Sequence, residues 1–249
     1  MNEQDVAFEW NLRIGMGQHR EKKKVNGGKT AISELGMRMQ WGLDGARVGW
    51  ILARLDPHSQ SGAMTFFCAN LKQVLEKSKS ARVRVDMPIG LGTVTDPVRT
   101  WDVNARKILS GRLSSRVFTP PIHEVIECSS YAEANALSRK LIGKGLSVQS
   151  WNLVPKIREL DSFLNQHPRL QPLWQETHPE ISFARLNDGQ PIQESKKTES
   201  GARLRERLLQ ERAGVDFEKV WQALTIESVR GRFLKDDALD ALALAASLE

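Results

Sequence analysis

The sequence predicts an α/β domain built on a mixed sheet, and three observations point there. Three strand-like runs follow one another with short connections. A run of helical spacing then separates the third from a fourth, and a long helix-rich stretch comes before strand-like residues return. A strand reached through a helix should lie parallel to an earlier one by a right-handed crossover. The expected order is therefore an antiparallel meander, a helix, a parallel strand, a helical insertion and a return to the sheet.

Each element has its own reason. Residues 1–36 include "GQHREKKKVNGGKT", which is polar, glycine-containing and aperiodic, and reads as a flexible basic extension. Its "REKKK" suits either nucleic acid or plain solvation. The domain proper is expected over 37–249. "MRMQWGLDG" alternates and ends in a turn. "VGWILARLD" follows the tight "GAR" as a second strand and "AMTFFCA" is a third. "NLKQVLEKSKS" is helical and "ARVRVDMPIGL" is the fourth strand. The insertion, about 97–172, carries helices at "DPVRTWDVNARKILSG", "SSYAEANALSRKLIGKG" and "VQSWNLVPKIRELDSFLNQH", with "SSRVFTPP" as a loop. "LWQETHPEISFARL" looks strand-like again. "TESGARLRERLLQERAG" and "DFEKVWQALT" are helices, and "GRFLKDDALDALALAASLE" closes the chain.

The bulk numbers set limits. A chain of 249 residues, 40% of them hydrophobic, can bury a core as one large domain or two small ones. A net charge of +6 fits a polyanionic partner. Cys68 and Cys128 form neither a disulfide framework nor a zinc spacing. No apolar stretch reaches transmembrane length and the start lacks a signal-peptide core, so no membrane partner and a cytoplasmic setting are expected.

The acids carry the chemistry. In "KDDALDALALA", Asp237 and Asp240 are i,i+3 neighbours and Asp236 and Asp240 are i,i+4 neighbours, so three like charges crowd one arc of an otherwise apolar helix. Either Asp236 or Asp237 caps the helix, or the group holds a cation. Asp44 ends the first strand between Gly42 and Gly45, as a turn residue or where backbone passes close to a ligand. Asp86 ends the fourth strand beside Pro88, as a turn cap or at the strand end where α/β sheets bind ligands. Glu176, His178 and Glu180 would share one face of a strand, solvent-facing or edge-like because of Pro179. Taken together, the aspartates describe carboxylates converging from three elements, and hard divalent cations need such oxygen ligands.

The stretches "GLDGARVGW", "VDMPIGL", "WDVNARKILSGRLSSRVF", "ETHPEISF", "SKKTESGARLRERLL" and "DDALDALALA" resemble, in this order, the family of the domain of unknown function 429, whose members are predicted nucleases of the RNase H-like fold. The closing "DALDALALA" also resembles the last helix of Holliday-junction resolvases. The resemblance implies a ribonuclease H-like, mixed five-stranded sheet with the first three strands antiparallel. It implies catalytic and metal-holding carboxylates at Asp44, Asp86, Asp237 and Asp240, with Glu176 and Glu180 as further acids at family positions. A nuclease of this kind would use two Mg²⁺ or Mn²⁺ ions to hydrolyse phosphodiester bonds, Asp44 bridging both. Arg47, Arg112, Arg116, Lys196 and Lys197 are the candidate phosphate contacts, or simply a solvated basic surface. Two rivals stay open. An actin-like or sugar-kinase-like phosphotransferase usually places Gly and Ser or Thr after the first-strand Asp, where this chain has Gly45, Ala46 and Arg47. A catalytically silent nucleic-acid-binding or structural module would keep the fold without the reaction.

Overall fold

The computed structural model describes residues 40–227 and 231–247; the extension expected over 1–36 lies outside them. Strands β1 (Gln40–Gly45), β2 (Trp50–Leu55) and β3 (Ala63–Cys68) are followed by helix α1 (Leu71–Ser78) and strand β4 (Arg82–Val85). Next come α2 (Thr100–Leu109), α3 (Tyr131–Ile142) and α4 (Val148–Gln166), interspersed with 3₁₀ turns. Strand β5 (Trp174–Glu176) returns to the sheet. Helices α5 (Pro179–Leu186), α6 (Glu199–Ala213), α7 (Phe217–Glu227) and α8 (Lys235–Ala246) complete the chain. Among the described residues, no helix is long and apolar enough to cross a membrane.

The five strands form one mixed sheet in the order β3-β2-β1-β4-β5. β1 pairs antiparallel with β2, and β2 with β3; β1 pairs parallel with β4, and β4 with β5. The first hairpin closes where Ala46 N–H donates to Gly49 O at 3.1 Å, with Gly49 at φ +81°. A Cβ there would meet Cys68 O at 2.3 Å, so glycine is required twice over.

Period-2 alternation sorts the strands into two faces. Trp41, Leu43, Leu52, Val83, Val85 and Trp174 pack with Leu71 and Val74 of α1 and with Val154, Ile157 and Leu160 of α4. Ile51 and Ala53 face the other way, onto Leu239, Leu242 and Ala243 of α8 and onto Leu208 and Leu209 of α6. Gly42 lies on this second face. There an added Cβ would fall 2.0 Å from Ala241 O and 2.5 Å from Ala245 N, so the backbone of α8 rests directly on β1. Gln40 Nε2 donates to Ser247 O at 2.9 Å and Arg84 Nη1 to the same oxygen at 2.5 Å, fastening the far end of α8.

Two expectations are corrected. The run 173–186 is a strand only as far as Glu176. Pro179 then stands at the first turn of α5, where its missing N–H costs nothing and its fixed φ suits a helix. Glu176, His178 and Glu180 therefore do not share a strand face. The expected loop at 114–121 begins inside a 3₁₀ turn, Gly111–Arg116.

Replacing Gly42 by Ala should cost about 3 kcal/mol, as in overpacked cores, because the obstruction is backbone and cannot swing aside. Urea unfolding of G42A checks this; unchanged stability would show that α8 does not rest on β1.

Candidate active site

Asp44 and Asp86 meet at the carboxyl ends of the two central parallel strands. Leu43 is paired with Val85, and Asp86 N–H donates to Leu43 O at 3.0 Å. One step beyond that pair, both aspartates leave the sheet on the α8 face. Asp240 comes down on them from α8 and is 2% exposed; Asp44 is 6% exposed.

The burial of these acids shows in their protonation. Desolvation, then the charges of Asp86, Asp240 and Asp237, hold the Asp44 carboxyl well above the usual range. Burial also raises Asp86, against the pull of His178 and Lys196. It pushes Asp240 up to about 7 and Asp237 up to about 6. Lys196 stands among them. Its ammonium pairs with Asp240 Oδ2 and lies 3.5 Å from Asp236 Oδ2. Burial alone would lower its pKa, but Asp240, Asp44 and Asp236 together hold it above that of an ordinary lysine.

The start of α8 divides the three helix acids. The N-cap is Leu234, so neither Asp236 nor Asp237 caps the helix from outside. Asp237, at the third helical position, accepts Leu234 N–H on Oδ2 at 2.7 Å, the acid half of a capping box. Asp240 makes no capping bond and points into the cluster.

The two glutamates are held apart by arginines. Glu176 is in register with Val85 and so faces away from Asp86. It pairs with Arg99 and accepts Ile89 N–H at 2.8 Å, and burial pushes its carboxyl up to about 7 against both partners. Arg99 also binds Asp102 at 2.8 Å. Glu180 accepts both oxygens' worth of bonds from Arg205 Nη2, at 2.9 and 2.8 Å, and lies 3.1 Å from Arg116. Glu180 borders the cluster, since its charge raises Asp86 and Asp240. His178 caps α5: Nδ1 accepts Glu180 N–H at 3.2 Å, and Nε2 faces Arg116 O at 3.3 Å, which fits the tautomer protonated on Nε2.

The basic candidates fall into two groups. Arg47, Arg112 and Lys197 are exposed. Arg116 is tied to Ile192 O and Gln193 O at 3.1 and 3.0 Å, and Lys196 is inside the cluster. Arg205 went unnoticed in the sequence, although a signal was present. It sits on the buried stripe Gly201, Arg205, Leu208, Leu209 of α6, where a charge needs a partner.

Among the described residues, no three His, Cys, Asp or Glu side chains are placed to hold a metal ion as they stand. The donor set is nevertheless all oxygen, which suits a hard cation, and four mutually repelling carboxylates around one ammonium are short of positive charge.

The family model described as "Protein of unknown function (DUF429)" matches residues 42–247, and the chain belongs to that family. No curated protein and no solved structure matches it.

Two outcomes follow from these groups. With a folded pKa above the unfolded 3.8, each aspartate keeps a proton that the unfolded chain has released, so stability is present at low pH and lost as pH rises through about 6 to 7. In chelator, the Tm should fall by several degrees between pH 5 and 8, and Asp240→Asn should flatten that fall; a Tm rising over this range contradicts the burial of the cluster. Arg205→Met should cost about 3 kcal/mol by leaving Glu180 with Arg116 alone, and adding Glu180→Leu should recover part of it. Denaturant titration of both single variants and the double variant decides; single losses that simply add in the double variant would mean the pair carries no coupling.

Proposed function

We propose that the chain is a metal-dependent nuclease of RNase H-like type, hydrolysing phosphodiester bonds in nucleic acid. One observation carries this: Asp44, Asp86 and Asp240, from three separate elements, meet in one corner at the carboxyl ends of the central parallel strands, with Asp44 and Asp240 buried. The five-stranded mixed sheet, and a last helix that brings its acids to the central strand, support the RNase H-like assignment.

Asp44, Asp86 and Asp240 are the residues that would hold divalent cations, with Asp237 offering the oxygen its cap leaves over. Bound Mg²⁺ or Mn²⁺ would supply a water acidic enough to attack phosphorus near neutral pH and charge to balance the leaving oxygen. The chain's own residues do the rest. Glu180, pinned by Arg205 and Arg116, adds negative potential behind Asp86 and Asp240. Exposed Arg47, Arg112 and Lys197 are available to the phosphate backbone. The pairing of Lys196 with Asp240 is the observation that favours the alternative, a charge-compensated module without a reaction.

Cleavage of labelled DNA and RNA, as single strands, duplexes and junctions, in Mg²⁺ or Mn²⁺ separates the two. Asp44→Asn and Asp240→Asn should each lose on the order of 10²–10³ in rate, the scale of removing one preorganised electrostatic group. Lys197→Ala should instead weaken binding uniformly and reduce its salt slope by about one. Cleavage that survives Asp44→Asn would belong to a contaminant, and no cleavage of any substrate would favour the module.

A further inference from the structure

We infer that the ammonium of Lys196 occupies the place a divalent cation takes, so that ion binding and the Lys196–Asp240 pair exclude each other. This rests on the carboxylate cluster being a cation site.

The placement of the lysine suggests exchange rather than a fixed bridge. Its ammonium pairs with Asp240 and lies 3.5 Å from Asp236, and its charge also acts on Asp44, Asp86 and Asp237. Its side chain is 32% exposed while that of Asp240 is 3% exposed, so it enters from the open side of the corner. The backbone beneath it is fastened on both flanks. Arg116 holds Ile192 O and Gln193 O, and Arg205 holds Glu194 O at 3.2 Å. Beyond it, Thr198 caps α6 by accepting Gly201 N–H at 3.2 Å. The segment is therefore a rigid post, and the side chain's own four torsions are what can move.

Two positive charges repel strongly at contact distance in a poorly solvated corner. An arriving ion therefore expels the ammonium instead of sharing with it. The post keeps the freed ammonium at the rim, within reach of an anion bound to the same ion. Lys196 on this account neutralises the cluster without metal and becomes an anion contact with it.

The test combines two measurements on the full chain. Reductive methylation of lysines is followed by peptide mass spectrometry, in a Lys197→Arg background that leaves Lys196 as the only lysine of its peptide segment. Mg²⁺ or Mn²⁺ should speed Lys196 labelling about tenfold while other lysines are unchanged. Isothermal titration of Lys196→Gln with the same ions should show about tenfold tighter binding than wild type. Should that variant not fold, the labelling alone decides. Ions that bind wild type while Lys196 labelling stays slow overturn the exchange and leave the metal site standing. Failure of both proteins to bind either ion overturns the metal site and the exchange together.

Discussion

The contact of α8 with β1 across Gly42 sets the two most deeply buried acids of the candidate site, Asp44 and Asp240, against each other. No side chain separates the two backbones there: the space a methyl group would need is already taken by Ala241 O and Ala245 N. Asp44 lies two residues beyond Gly42 on the same face, and Asp240 directly precedes Ala241, so one contact sets both acids in register. The helix runs opposite to β1, since Gln40 reaches Ser247 at its far end. Its N-terminus therefore points at the acids, and the dipole there favours negative charge.

That favour is small against the cost of burying several carboxylates together, and the surroundings show how the cost is met. Burial and mutual repulsion raise the pKa of the innermost acids, Asp44 and Asp240, which lowers the cost of protonating them. One ammonium, that of Lys196, enters among them. Around this core the remaining acids are matched to guanidinium groups: Glu176 and Asp102 to Arg99, Glu180 to Arg205 and Arg116. Arginine suits these outer places because its charge does not titrate away on burial and its several donors can serve more than one acceptor, as Arg99 serves Asp102 and Glu176. The outer ring is charge-balanced and rigid. The inner corner is short of cations and reached from one side.

The same contrast explains what could be read from the sequence. The three opening strands, α1, β4 and the helices of the insertion followed from period and turn residues, because each is a local pattern. Asp44, Asp86 and the α8 acids stood out as polar groups at the ends of apolar elements. Glu176 and Glu180 were misplaced on one strand because "ETHPEISF" changes period midway, and the proline that signals an edge strand also starts a helix. Lys196 and Arg116 read as phosphate contacts or solvated charges because their partners are far away in the chain: Asp240 for one, Glu180 for the other. Sequence shows that a charge exists; only the fold shows whether it faces water or another charge.

The acids of the closing helix divide between capping and pairing with an ammonium. Asp237 takes the cap with one oxygen, which anchors the first turn and so fixes where the next turn falls. Asp240, three residues on, then has no free backbone N–H to satisfy, because from that point the helix bonds internally. A buried carboxylate without a capping duty is costly on a stretch of helix whose neighbours are Ala and Leu. What satisfies it in this structure is a positive charge carried in from another segment. Asp240 is thus held by the ammonium of Lys196 and not by any duty in forming the helix.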